Sequence, residues 1–90
     1  MTTAYATVRN EYGIHCRPSA VIVKECQSYP GTIRVETELG DEGDAKNLMA
    51  LMGLGISCGT DVTIKVEGPD EEAMAQKMVE LFERNFDFPR

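Results

Sequence analysis

Thr32-Ile33-Arg34-Val35-Glu36-Thr37-Glu38 alternates without a break. Ile33, Val35 and Thr37 fall on one side of an extended chain, Arg34, Glu36 and Glu38 on the other. Asp61-Val62-Thr63-Ile64-Lys65-Val66-Glu67 repeats the pattern, with Val62, Ile64 and Val66 inward. A period of two marks strands with one buried and one wet face. Two such strands need helices over the apolar side only, which predicts an open-faced arrangement.

Working outward, Thr2–Arg9 is β-prone and free of Gly and Pro, which predicts a strand. Asn10-Glu11-Tyr12-Gly13 is turn chemistry. A helix follows, with Pro18 in its first turn and a buried stripe of Ala20, Val23 and Cys26, supplemented by Ile22. Tyr29-Pro30-Gly31 stops it. Gly40–Gly43 is a turn, with a short return strand the residues do not secure. Asn47 caps one and a half helical turns ending at Met52, and Gly53-Leu54-Gly55 closes them. After Gly68-Pro69, Asp70 caps a last helix with the stripe Met74, Met78, Leu81 and Phe82. The tail from Asn85 to Arg90 carries Phe86 and Phe88 and either packs back or frays. The order β-α-β-(β)-α-β-α predicts an α+β domain: an open-faced sandwich of a small, four-stranded, mostly antiparallel sheet with three helices on one face.

Ninety residues, 42% of them hydrophobic, make one domain, 1–90, with one modest core. There is no room for a deep interdomain cleft, so chemistry belongs on a loop or a helix end. Nine Lys and Arg against 15 Asp and Glu give a net charge of −6. That argues against nucleic acid, whose phosphates need clustered cations, and against anionic membrane. The longest apolar runs, Ala20–Val23 and Leu48–Met52, are far short of a membrane span. Three cysteines without a CxxC pair are no disulfide framework and suit a reducing cytoplasm; no signal peptide is evident at Met1–Tyr5.

The only histidine is His15, in Gly13-Ile14-His15-Cys16-Arg17-Pro18, just before the first predicted helix. The first N–H groups of a helix lack internal acceptors and carry the positive end of its dipole, so they bind anions. Arg17 can grip an oxyanion with two parallel hydrogen bonds. An imidazole beside such donors suits a phosphoryl-accepting histidine. A lone loop histidine is more often an ordinary surface residue, so this spacing alone does not decide. An adjacent His15/Cys16 pair is weak as a metal site without a second pair of ligands, and weak as a Cys–His hydrolase without a pocket.

The wider segment, Gly13-Ile14-His15-Cys16-Arg17-Pro18-Ser19-Ala20, closely resembles the active-site segment of the HPr family, phosphohistidine carriers of the bacterial phosphoenolpyruvate:sugar phosphotransferase system. Ala45 to Ile56 is similar to that family's second-helix region, and Gly59-Thr60-Asp61-Val62-Thr63-Ile64 with Glu67-Gly68 to its last strand and the approach to its last helix. The resemblance runs from about Ala4 to Arg84, with about one extra residue near Leu39–Asp44. It implies an HPr-like fold and no cofactor. It implies that His15 accepts the phosphoryl group on Nδ1, that Arg17 stabilises it, and that the backbone amides of Cys16 and Arg17 bind it. Enzyme I is the implied donor, and IIA domains of sugar permeases the implied acceptors. Such a chain is a cytoplasmic carrier and a protein substrate of transferases rather than an enzyme; it is expected to be a monomer.

The resemblance also implies a docking face around the histidine. Positions matching Ala20, Lys24 and Gln27 on the first helix join Leu48, Met49 and Met52 on the second. A helix of six or seven residues cannot bury all its apolar side chains, and exposed Met adapts to several partners. Arg17, Lys24 and Lys46 would steer acidic partners. Two departures stand out. Asn47 replaces the serine that a regulatory kinase modifies in many Gram-positive relatives, and has no hydroxyl to phosphorylate. Cys16 replaces the usual Ala or Thr; it is either a tolerated small residue or a redox brake on His15. Two other readings remain: a nitrogen-related phosphotransfer paralogue with a regulatory role, and a regulatory binding module that is never phosphorylated.

Overall fold

The structure is a computed structural model that describes residues 1–9 and 16–83, with the backbone alone at 16–18. Its elements are β1 (Thr2–Thr7), α1 (Cys16–Gln27), β2 (Thr32–Thr37), β3 (Glu42–Asp44), α2 (Leu48–Gly53), β4 (Asp61–Glu67) and α3 (Glu71–Glu83). The four strands form one sheet in the order β1-β4-β2-β3, antiparallel throughout. The expected sheet is therefore present, and "mostly" antiparallel becomes entirely so. The unsecured return strand is real: β3 pairs Gly43 with Val35 and is held by that ladder rather than by its own sequence.

The alternation does what it predicts. Ile33, Val35, Ile64 and Val66 are completely buried, with Val62 beside them, and they meet Phe82, Met78, Leu81 and Ile22 from the helices. Each such side chain taken fully from water is worth about 1.5–3 kcal/mol. On the open face the polar residues pair across strands. Lys65 Nζ meets Glu36 at 3.1 Å, and Arg34 pairs with Glu42. Both pairs are diagonal: Arg34 stands directly opposite Lys65, and Glu36 opposite Glu42. The register is therefore set by the buried face, and the diagonal pairs offset the like charges.

Two local expectations change. Ala20 is exposed, and Ser19 takes the buried position beside Ile22, Val23 and Cys26. Both residues are small, so transfer energy hardly chooses between them; the larger Ile22, Val23 and Cys26 set the rotation of the helix. Asp70 occupies the position before α3 and accepts the Met74 N–H through its backbone carbonyl at 3.0 Å. Its φ of +50° is not the extended backbone of a side-chain cap. Glu71 binds this turn instead, accepting from Gly68 N–H at 3.2 Å and from the Thr2 hydroxyl at 2.9 Å, with the Met1 amine at 3.1 Å. Those three donors hold the Glu71 carboxyl below the usual carboxylate range, the amine being the largest cause.

Tyr29, read from sequence as a helix stop, is also core. Its ring lies where Gly31 and Gly68 approach each other. A Cβ on Gly31 would stand 2.1 Å from the Glu67 carbonyl and 2.7 Å from Tyr29 Cε2, so only glycine fits.

Candidate phosphoryl site and docking face

His15 lies outside the described residues, as does the turn before it, so the site is read from what flanks it. On one side, β1 ends at Thr7 and the next residue is fixed to the turn before β4. Val8 N–H donates to the Thr60 carbonyl at 2.9 Å, and Gly59 N–H donates to the Val8 carbonyl at 2.8 Å. That turn is self-braced: Thr60 N–H donates to the Ser57 carbonyl at 3.1 Å, and Ser57 N–H to Thr60 Oγ1 at 3.3 Å. Gly59 supplies the required φ of +88°. Sequence reading missed this clamp, although Gly59-Thr60 is its visible signal.

On the other side α1 begins at Cys16, the residue directly after His15. The backbone amides of Cys16 and Arg17 are thus in the first helical turn, as the sequence implies. No acidic residue occupies that turn. The contrast with the other helices is informative. In α3, Glu71 and Glu72 supply negative charge to the first turn, and in α2 the Asn47 side chain accepts the Ala50 N–H at 3.1 Å. The start of α1 keeps its dipole end uncompensated by its own carboxylates, which suits an anion. The side chains of Cys16 and Arg17 are outside the description.

Beyond the first turn, Ala20, Lys24 and Gln27 are all exposed. Their spacing, i, i+4 and i+7, puts them on one face of α1. On α2, Met49 is 77% exposed and Met52 38%. Leu51 is buried, and Leu48 is half-buried against the core, so the apolar surface that α2 exposes is chiefly that of the two methionines. Asn47 is confirmed as the cap, with φ −113° and ψ 113°. Lys46 is not a free steering cation. Its ammonium donates to the carbonyls of Tyr29 and Gly31, the latter at 2.6 Å, and stands 5.9 Å from the Tyr29 ring centre. The ammonium thereby satisfies two carbonyls of the turn that follows α1.

The cysteines separate by environment. Cys26 is buried, with Sγ 3.3 Å from Met78 Sδ, and burial pushes its thiol up to about 12. Cys58 is exposed and lies 3.9 Å from the Arg9 carbonyl. No group of three or more His, Cys, Asp or Glu among the described residues is arranged to hold a metal ion. No described helix is long and apolar enough to cross a membrane.

The sequence family described as "PTS HPr component phosphorylation site" matches residues 2–84. The phosphocarrier protein HPr of Mycoplasma pneumoniae is 32% identical over 85 residues, covering 94% of this chain and 97% of its own. Among solved structures, HPr of Bacillus anthracis superposes with a TM-score of 0.86 at 28% identity, over 91% of this chain and 96% of that one. HPr of Thermoanaerobacter tengcongensis gives 0.83 at 33%, over 91% of both. Sheet order, helix placement and sequence agree over nearly the whole length, and the chain belongs to the HPr family, the phosphocarriers of the phosphotransferase system.

Proposed function

We propose that this chain carries a phosphoryl group on Nδ1 of His15, taking it from phosphorylated enzyme I and giving it to IIA domains of sugar permeases. The observation that carries the reading is the start of α1 at Cys16, next to His15, with no carboxylate of its own in that turn. The lone pair of Nδ1 forms the new N–P bond as the donor's bond to phosphorus breaks, and that bond's electron pair stays on the donor. The resulting dianion is met by the amides of Cys16 and Arg17 and by the Arg17 guanidinium. Transfer onward reverses these steps on an acceptor nucleophile, so the protein is a carrier and not a turnover catalyst. No metal or cofactor enters the step.

Partners dock on Ala20, Lys24, Gln27, Met49 and Met52, with Leu48 at the margin. Lys24 supplies positive charge there, together with Arg17. The chain works as a monomer in the cytoplasm, without nucleic acid or membrane insertion. In support, the β1 edge is covered in part by its own molecule: Glu83 takes the Thr7 N–H at 3.1 Å. Cys26 and Cys58 are free thiols, in keeping with a reducing compartment. The domain spans 1–90.

Asn47 at the α2 cap favours a second reading, in which the acceptor belongs to a nitrogen-related regulatory branch and serine-linked control is absent. A reconstituted chain of enzyme I, this protein and a panel of acceptors tests both. Labelled phosphate reaching a sugar-permease IIA domain supports the first; transfer to the nitrogen-related acceptor alone selects the second. No transfer from enzyme I at all leaves the binding-module reading.

A further inference from the structure

We propose that the outer edge of β1 is a latched self-association site: a second copy of the chain adds its own β1 there, antiparallel and centred on Tyr5, when Glu83 releases the Thr7 amide. Val8 bonds toward β4, its N–H donating to the Thr60 carbonyl at 2.9 Å, whereas the Thr7 N–H points the other way, to Glu83 at 3.1 Å. Alternation along an antiparallel ladder therefore turns the N–H and C=O groups of Thr3, Tyr5 and Thr7 outward. β1 ends the sheet, with β4 as its one neighbouring strand among the described residues. Of the described side chains, only Glu83 takes any of these outward groups. Such an edge templates a further strand unless brevity, charge, proline or a cover blunts it. The far edge is blunted, since β3 has three residues and two are carboxylates. β1 has six, with no charge and no proline.

The strand that fits this edge is β1 itself. Thr3-Ala4-Tyr5-Ala6-Thr7 reads the same in both directions. A two-fold axis at Tyr5 sets Tyr5 opposite Tyr5 of the second copy and Thr3 opposite Thr7, each pair exchanging two hydrogen bonds. Their side chains stand on the open face, where Tyr5 is 73% exposed. Aromatic and threonine pairs are favourable cross-strand neighbours, and no like charges meet on β1. The charges behind β1 agree with this orientation. Lys65 pairs with Thr3 and has Arg34 beyond it; Asp61 pairs with Thr7, and Glu38 accepts its N–H at 2.8 Å. The two-fold therefore runs the Lys65–Arg34 row of one copy into the Asp61–Glu38 row of the other. Lys65 and the second copy's Asp61 are three strand spacings apart, about 14 Å, so these rows set orientation more than affinity. The start of β1 stays tied to its own molecule, with the Thr2 hydroxyl and the Met1 amine both on Glu71, so a second copy adds to the edge and does not replace β1. While Glu83 holds the Thr7 N–H, the Thr3–Thr7 pairs are incomplete, in keeping with a carrier that works as a monomer.

The test is sedimentation of the full chain at concentrations up to about 1 mM, for the unaltered protein, Glu83→Ala, and Glu83→Ala combined with Tyr5→Lys. Glu83→Ala is expected to self-associate at least about tenfold more tightly than the unaltered chain. Adding Tyr5→Lys sets two ammonium groups opposite each other and is expected to return the chain to monomer. Nuclear Overhauser spectra of mixed labelled and unlabelled Glu83→Ala are expected to show Tyr5–Tyr5 and Thr3–Thr7 contacts between copies. Core contacts of Phe82 in each variant check that the fold is kept. Equal association of Glu83→Ala and the unaltered chain would overturn the proposal, as would a dimer that survives Tyr5→Lys. So would contacts between copies from Tyr5 to Thr63, which would mean that β1 is exchanged rather than added.

Discussion

The Lys46 ammonium and the Gly31 carbonyl, fifteen positions apart, are joined at 2.6 Å, which ties the residue before the α2 cap to the turn that follows α1. The two helices bearing the proposed docking face are thus linked by a hydrogen bond from a charged group. Loss of such a bond costs about 1.5–3 kcal/mol. Lys46→Met, which keeps the stem, is expected to lower thermal stability by roughly 6–24 °C at about 4–8 °C per kcal/mol. Binding to enzyme I at a temperature where the variant is folded is expected to stay within about twofold. Calorimetry and a binding titration check both; a lysine that steers partners would show the opposite pattern.

Asn47 supplies the α2 cap through its side-chain oxygen at 3.1 Å from Ala50 N. Asn47→Ala is expected to cost about 1 kcal/mol, and Asn47→Ser a few tenths, because serine caps nearly as well. Denaturant unfolding measures the difference. Incubation with an HPr kinase and ATP separates the regulatory consequence: no label is expected in residues 47–52 of the unaltered chain, and label there would contradict the reading of Asn47.

Met49 is exposed and contributes little to the core, so Met49→Ala is expected to change stability by less than about 0.5 kcal/mol. If the methionines form the docking face, the same change raises the KM of enzyme I for this carrier several-fold. Lys24→Glu is expected to raise it further, and more strongly at low salt. Steady-state kinetics at two ionic strengths reads both effects.

Burial holds the Cys26 thiol at about 12 against an ordinary value of 9.0, desolvation being the largest cause. The folded state therefore keeps the proton that the unfolded chain releases first. Stability from this group is whole below about pH 9 and falls as pH rises from there toward 12. Relative to Cys26→Ala, the unaltered chain is expected to lose stability more steeply across that window. Iodoacetamide at pH 8 is expected to label Cys58 in the native protein and Cys26 only after unfolding; mass mapping of the peptides decides. Cys16→Ser, compared under mild oxidant, tests whether that thiol restrains transfer from His15.

The strands were legible because β2 and β4 alternate residue by residue, and burial follows that alternation. Strand order was not legible, since nothing local tells Ile33 that its neighbour is Val66 rather than a residue of β1. Nor was β3, three residues that are extended only because β2 pairs with them. The α1 stripe was read correctly at Ile22, Val23 and Cys26, and misplaced at Ala20, where size gives no preference against Ser19. Lys46 reads from sequence as a steering cation; the role it takes in the fold depends on two carbonyls that the sequence places fifteen and seventeen residues away. The segment around His15 lies outside the described residues and is read from its motif alone; α1 begins at Cys16, directly after it.

The most direct measurement is intact mass after incubation with enzyme I and phosphoenolpyruvate, with His15→Ala alongside. The account predicts the gain of one acid-labile phosphoryl group, absent in His15→Ala, and slowed by at least about tenfold in Arg17→Ala, equivalent to about 1.4 kcal/mol of transition-state stabilisation. No gain with an enzyme I that phosphorylates other HPr proteins, or a gain that persists in His15→Ala, would contradict it.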